Sequence, residues 1–496
     1  FLISNFFLSG LLAGKEKPLN LLLITVDDMS CDSVGVFGSK LEGTTPVMDR
    51  LASQSLRFEY AHVTVGNCNP CRNVMFSGLI SHNNKVEGFY KVPEPGWPHM
   101  VDLLKDAGYY TGIHGKVTHS SPYQPYAWDE DLTISPSGKK ADIKDAKAYG
   151  ASTARGIAQA KALGQPFFLS INISDPHKPF WSQVRGGGED PYIPSKIFTA
   201  DEVPVPGFLF DDPEVRQELA LYYSSVRRAD DCLGAVLQAL KKSGDWDNTM
   251  LVFLSDHGMP LPFAKTQLYH HSTRTPLMVR IPGVTQAGKV DKQHMVSVLD
   301  LLPTVLDTLK IEKPNRLDGR SFYPLLKGEK QEGWDYVIKQ YHENSGRSRD
   351  PMRAIQTKTH LYLFNPWSNG ERVFATATNG TVTCKRMIAL AEEDEEMNQR
   401  LELYRFRVPQ ELYQVKRDPD CLENLIDYSS KSKEKRRLQK LLEDWMVRTG
   451  DPILECFQKR DDPEFVEAYV QKLEAEANAR RKAEKPPKKA KVKKKS

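Results

Sequence analysis

The chain has 496 residues with 40% apolar side chains, enough to bury a large core and to favour two domains over one. Its formal charge of +4 belongs to one end: residues 480–496 hold ten Lys/Arg against Glu484 alone, which leaves the rest at −5. The body therefore has no basic excess with which to bind nucleic acid, and seven scattered cysteines define no disulfide framework.

Residues 1–17 open on an apolar run, Phe1 to Gly14, too short to span a bilayer and followed by Lys15-Glu16-Lys17. This is the pattern of the apolar region of a secretory signal peptide. It predicts an exported protein, periplasmic or extracellular, or lysosomal in a eukaryote, with no transmembrane anchor; a buried first strand is the alternative. Asn20 to Val26 is apolar without alternation and ends in Asp27-Asp28, which predicts a central strand with acids at its C-terminal end, where open α/β sheets hold ligands. Adjacent carboxylates repel unless a cation or water neutralises them, so the pair is a metal candidate, with a helix cap beside a solvated neighbour as the alternative.

Thr45-Pro46 opens a helix running to Ala52, and Leu56 to Val65 alternates as a strand leading into Cys68-Asn69-Pro70-Cys71-Arg72. Cys68 thus falls at a strand-to-helix turn, where first-turn N–H groups would face an anion. A Cys-x-x-Cys also suits a redox pair or half a zinc site, but no second pair follows to complete four cysteines. His99 to Ala107 reads as a helix, then a strand ends in His114-Gly115-Lys116-Val117-Thr118-His119. Pro166 to Ile173 is another apolar strand, ending in Ser174-Asp175-Pro176-His177-Lys178.

Asp212 to Ser243 is the longest predicted helix, with Leu219, Tyr222, Tyr223, Val226, Cys232, Leu233, Val236 and Leu240 on its core stripe. Thr249 to Ser255 is a buried strand closing on Asp256-His257-Gly258; Lys265 follows on a loop, and residues 292–309 read as a helix. Alternating strands and helices predict an α/β sheet covered on both faces over residues 18–350. Beyond it, strand-like Arg353 to Ile355, His360 to Phe364 and Glu411 to Val415, closed by a helix from Lys433 to Thr449, predict a smaller antiparallel C-terminal domain over 351–460. Residues 461–496 read as a charged helix and a Lys-rich tail too polar to fold. That tail is either a solvated end or an electrostatic tether for a polyanionic glycan.

The stretch Cys68-Asn-Pro-Cys-Arg72, with a helix ending in Ser77-Gly78, resembles the C-x-P-x-R signature of the type I, formylglycine-dependent sulfatases. Thr45-Pro46, Asp256-His257-Gly258, Asp318-Gly319 and Glu411-Leu412-Tyr413 extend the likeness across residues 19–455. Ser174-Asp-Pro-His-Lys178, Gly258 to Tyr269 and Gly450-Asp451-Pro452 resemble the N-sulfoglucosamine sulfohydrolase branch of that family.

The resemblance implies the alkaline-phosphatase-like sulfatase fold, a large mixed sheet flanked by helices plus the smaller domain. It implies that Cys68 is oxidised to formylglycine by a formylglycine-generating enzyme. It implies that Asp27, Asp28, Asp256, His257 and modified Cys68 hold one divalent cation, Ca²⁺ by their oxygen-rich donors with Mg²⁺ second. Arg72 would hold the formylglycine, while Lys116, His119, His177 and Lys265 would surround the sulfate of a saccharide, with a homodimer as a further expectation. His177 and His119 are assigned as acid and base, interchangeably. His257 stands where many members have Asn, Cys71 where Ser or Ala is usual, and the Lys116 to His119 spacing is more like iduronate-type sulfatases. The function implied is removal of N-linked sulfate from glucosamine in heparin-type glycans. An O-sulfatase or phosphodiesterase of the same superfamily and a catalytically silent glycan-binding relative are the alternatives.

Overall fold

The computed structural model describes residues 17–184, 186–345, 349–374 and 376–483. The expected signal-peptide remnant, apart from Lys17, and residues 484–496 of the basic tail lie outside the described residues. Among those described, eight strands form one sheet: β1 (Asn20–Asp27), β2 (Leu56–His62), β3 (Tyr110–His114), β4 (Glu130–Asp131), β5 (Phe167–Pro176), β6 (Thr249–Ser255), β7 (Met278–Arg280) and β8 (Val290–Ser297). Their order is β4-β3-β5-β1-β6-β7-β2-β8. Only β7 runs antiparallel to its neighbours.

The three central strands are buried along their whole length, as unalternating apolar runs require. Leu21, Leu22, Ile24 and Val26 are fully enclosed, each worth about 1.5–3 kcal/mol relative to an exposed position. Because these strands are parallel, their C-terminal ends share one edge, and the acids and histidines that terminate them meet there.

The helix Pro213–Ser243 starts on the Asp212 cap and ends at left-handed Gly244. All eight residues of its expected core stripe are buried. Its polar residues also act, which the stripe did not indicate. Glu218 accepts the Val382 and Thr383 N–H groups at 3.0 and 2.7 Å, capping the helix Val382–Leu390. Asp230 accepts from Val47 and Met48, capping the helix Pro46–Ala52.

One expected element is corrected. Residues 292–309 are not one helix: β8 occupies Val290–Ser297 and only Leu301–Leu309 is α-helical. Pairing with β2 captures the first half, and a capping box at Ser297 and Asp300 starts the helical part.

A second sheet, β9 (Tyr336–Glu343), β10 (Arg349–Thr357), β11 (Leu361–Phe364) and β12 (Gln410–Tyr413), is antiparallel in the order β12-β11-β10-β9. The helix Ser432–Thr449 covers it, packing Leu438, Leu442, Trp445 and Met446 against Ile355, Tyr362 and Leu412 in a separate core. Helices Val382–Leu390 and Glu395–Phe406 lie between β11 and β12. No helix among the described residues is long and apolar enough to cross a membrane.

Lys339 of β9 is wholly buried, donating to the Leu268 carbonyl at 3.2 Å and to Gln356 Oε1 at 2.5 Å, with no carboxylate among those partners. Burial pushes its ammonium down to about 7. Between that value and the ordinary lysine range the unfolded chain binds more protons, so native stability rises with pH across this window, and the buried charge is fully costly below it. Lys339→Met should therefore gain on the order of a few kcal/mol more at pH 6 than at pH 10. Urea unfolding of both proteins at the two pH values checks it, and equal changes would refute the buried charge.

Candidate active site

The helix Cys68–Ser77 follows β2, is capped by Asn67 and is buried on every side. Asn67 Oδ1 takes the Cys68 N–H at 3.1 Å, so that amide is not free for an anion as its position in the sequence suggested. The Cys68 thiol lies 3.1 Å from His257 Nε2. Cys71 turns away and donates to the Asp256 carbonyl at 3.0 Å, and both cysteines are free thiols.

Arg72 is fully buried, which demands partners for its guanidinium. Nε and Nη2 reach Asp256 Oδ2 at 3.0 and 2.9 Å, while Nη1 donates to Thr25 Oγ1 at 2.8 Å and Asn172 Oδ1 at 2.7 Å. Asn172 in turn donates to the His114 and Gly115 carbonyls, tying β5 to the end of β3. A side chain on Gly115, at φ +71°, would meet the Asn172 carbonyl at 2.7 Å, so only glycine fits the turn that presents Lys116. Thr25 and Asn172 were missed in the sequence; their signal is polarity within otherwise apolar strands.

At the end of β1 the register with β5 shifts between Val26 and Asp27, and Asp28 adopts a left-handed φ of 65°. Asp27, Cys68, Asp256 and His257 converge, one ligand atom from each lying within 4.8 Å of the others. Both Asp27 oxygens are buried without a hydrogen-bond partner, although the Lys116 ammonium lies against Oδ2. Such orphaned oxygens beside a second carboxylate, an imidazole and residue 68 fit a cation. Asp28 turns instead to Lys265, accepting from its ammonium on both oxygens at 2.7 Å, while its Oδ1 stays 3.2 Å from His257.

The electrostatics follow from this packing. Burial alone would raise Asp27 and Asp28, but Lys116 holds the first well below the carboxylate range and Lys265 lowers the second. Asp256 is raised by burial and by Asp27. His257, which burial would lower, is carried up to about 10 by Asp256, Cys68 and Asp28.

His177 follows β5 and is placed through its backbone: Lys144 donates to its carbonyl at 2.8 Å and to Asp175, which also receives Arg228. Its Nδ1 faces the Lys178 carbonyl at 2.6 Å, and its Nε2 lies 3.9 Å from Asp28. His119 packs edge-on against Phe89 and is pushed down to about 3 by burial and by Lys116. A cavity of about 920 Å³, lined by Lys116, His177, Lys178, Lys144 and Tyr126, opens beside them. The structure thus brings Asp27, Asp28, Cys68, Arg72, Lys116, His177, Asp256, His257 and Lys265 into one connected cluster, with His119 at its Lys116 side.

Comparison with known proteins agrees with this geometry. The sulfatase family model matches residues 19–311, and one described as "N-sulphoglucosamine sulphohydrolase, C-terminal" matches residues 256–369. Human N-sulphoglucosamine sulphohydrolase is 29% identical over 484 residues, covering 88% of this chain and 92% of the relative. An ulvan-active sulfatase of Formosa agariphila is 23% identical over 488 residues, covering 88% and 76%. Among solved structures, a 2-O GAG sulfatase superposes with a TM-score of 0.64 at 21% identity, covering 88% of this chain and 93% of that one. A phosphonate monoester hydrolase of Agrobacterium radiobacter reaches 0.65 at 18%, covering 87% and 96%, so this fold hosts more than one reaction. With the family model spanning more than half its length and Cys68, the acids and the basic residues of the site assembled on the same edge, the chain belongs to the sulfatase family, hydrolases of sulfate esters and sulfamates.

Proposed function

We propose that this sulfatase removes sulfate from a sulfated saccharide, with the N-linked sulfate of glucosamine in heparin-type or heparan-type glycans as its preferred bond. The observation that carries this reading is the match of residues 256–369, which include Asp256, His257 and Lys265, to the C-terminal model named for N-sulphoglucosamine sulphohydrolase. The human relative of that name supports it over nearly the whole chain. Export fits a substrate outside the cytoplasm.

The site has the parts the chemistry needs. Asp27, Asp256, His257 and residue 68 would hold a divalent cation, with Asp28 as a fifth candidate ligand and Ca²⁺ favoured over Mg²⁺ by the oxygen-rich set. When bound, that cation lowers the pKa of a neighbouring hydroxyl. In the side chains alone, Asp27, Asp28 and Asp256 cancel Arg72, Lys116 and Lys265, so a divalent ion leaves the pocket positive toward an anionic substrate.

On this reading the Cys68 Sγ stands in for the formylglycine oxygens. As the hydrated aldehyde, residue 68 carries two hydroxyls. One would give up its proton to water and attack sulfur, forming an S–O bond as the S–N bond of a sulfamate, or the S–O bond of an ester, breaks. His177 protonates the departing amine or alcohol. Lys116 and Lys265 stabilise the sulfate oxygens. His119 then takes the remaining hydroxyl proton, the C–O bond to sulfate breaks, sulfate leaves, and the aldehyde returns to be hydrated again. Burial lowers both histidines, and at each of them Asp27 favours the protonated ring while Lys116 opposes it, so the division of roles is part of the proposal and is not read from these shifts.

The test is turnover of matured protein on glucosamine N-sulfate, glucosamine 6-O-sulfate, a 2-O-sulfated uronate and a phosphodiester. N-sulfate hydrolysis should exceed the others in kcat/KM by at least about tenfold. Preference for an O-sulfate or the phosphodiester would replace the proposed substrate, and no turnover of any would favour a silent relative.

A further inference from the structure

The last described helix, Pro463–Ala483, lies beyond both matched family models. It docks through buried Val470, Leu473 and Ala477 and projects Arg480 toward Glu343 and Tyr90. Arg480 donates to both oxygens of Glu343 at 2.7 Å, a carboxylate only 4% exposed, and its guanidinium lies 4.0 Å above the Tyr90 ring. Tyr90 accepts the Glu87 N–H at 3.2 Å. Arg349 and His342 hold the Glu87 carboxylate at 2.7 and 3.1 Å. The loop at residues 87–90 is thereby fixed from one side by charges drawn from β9, β10 and the C-terminal helix.

Its other side faces the chemistry. Gly88 presses so closely on Glu343 that a side chain there would meet its Cγ at 2.7 Å, and the Gly88 carbonyl accepts from Asn69 Nδ2 at 2.6 Å, one residue from the nucleophile. Asn69 accepts from Asn73, which also donates to the His119 carbonyl at 3.0 Å. Phe89 sets its ring edge-on to His119, with centroids 5.5 Å apart. The loop is thus tied on one side to Asn69, next to residue 68, and on the other to His119.

We infer that Arg480 is a positioning residue for sulfate hydrolysis: by clamping Glu343 and Tyr90 it fixes the 87–90 loop, and so the geometry of residue 68 and His119. Small displacements of reacting groups reduce rate steeply, whereas binding contacts elsewhere in the pocket are untouched, so the loss falls on kcat more than on KM. The inference needs sulfatase activity at this site but no particular sugar. Inactive wild-type protein would count against the activity itself, while the mutant comparison addresses the clamp.

The experiment uses full-length protein carrying Arg480→Gln, Phe89→Ala or both, with glucosamine N-sulfate, or whichever sulfated sugar the wild type turns over, as substrate. Each single change should lower kcat about tenfold with little change in KM, and the double variant should be no slower than the slower single one, since both act through the same loop. Lys472→Ala, exposed on the same helix, should match wild type. If Arg480→Gln fails to fold, Arg480→Lys keeps the charge but not the planar fork stacked on Tyr90, and the same non-additivity with Phe89→Ala is expected. Unchanged kcat in a folded Arg480 variant, losses that multiply in the double variant, or an equal loss in Lys472→Ala would overturn the inference.

Discussion

Cys68→Ala should abolish turnover while the folded protein persists, and the active wild-type protein should be about 18 Da lighter than its sequence at the peptide containing residue 68. The thiol is the wrong nucleophile for a reaction that must return its product and regenerate, whereas a hydrated aldehyde supplies one hydroxyl for attack and another for release. Replacing residue 68, whose unmodified side chain is 3% exposed, by alanine removes one small group and leaves only a small cavity, so the thermal midpoint should fall by no more than a few degrees. In the folded chain the two cysteines are not bonded to each other, and the Cys71 thiol donates to the Asp256 carbonyl. Intact-mass and peptide measurements on active protein decide the matter: full activity with an unmodified thiol at residue 68 would end this mechanism.

The second large effect is expected at the cation site. Asp27→Asn should cut kcat by about 100-fold or more, the scale for losing one electrostatic stabiliser of the transition state. It should also remove most of the thermal stabilisation that added Ca²⁺ gives the wild type, which for a ligand at 100 times its Kd is about 2.7 kcal/mol. The reason is local: Asp27 offers two buried oxygens without hydrogen bonds to a site it shares with Asp256, His257 and residue 68. Asn keeps the shape but halves the acceptor set and removes the charge. Thermal melts of both proteins, with chelator and then with Ca²⁺ or Mg²⁺, give a readout independent of activity. An equal Ca²⁺ shift in the two, or full activity of the chelated wild type, would rule out the assignment.

What the sequence determined by itself was each piece whose signal lies in neighbouring residues. Apolar runs ending in Asp27-Asp28, in His177 and in Asp256-His257 gave both the strands and the chemistry at their tips, because parallel strands buried on both faces must be apolar and must turn polar where they leave the sheet. The Cys68 to Arg72 signature gave the helix that carries Cys68, and the stripe from Leu219 to Leu240 gave the longest helix. The second sheet was legible in β10, β11 and β12, less so in β9, whose Lys339 and Gln340 interrupt an otherwise strand-like pattern at buried positions.

Tertiary structure alone decided the order in which the strands lie, and hence that Asp27 meets Asp256 across 229 positions of chain while Asp28 pairs with Lys265. It decided that residues 290–297 join β2 as a strand, since pairing outweighs a local helical pattern. It decided that Thr25 and Asn172 hold Arg72, and that Arg480 braces a loop 390 positions earlier through Tyr90. None of these partners marks the other in sequence. A buried charge accepts whichever complementary group the packing delivers to it, and that delivery is a property of the closed chain.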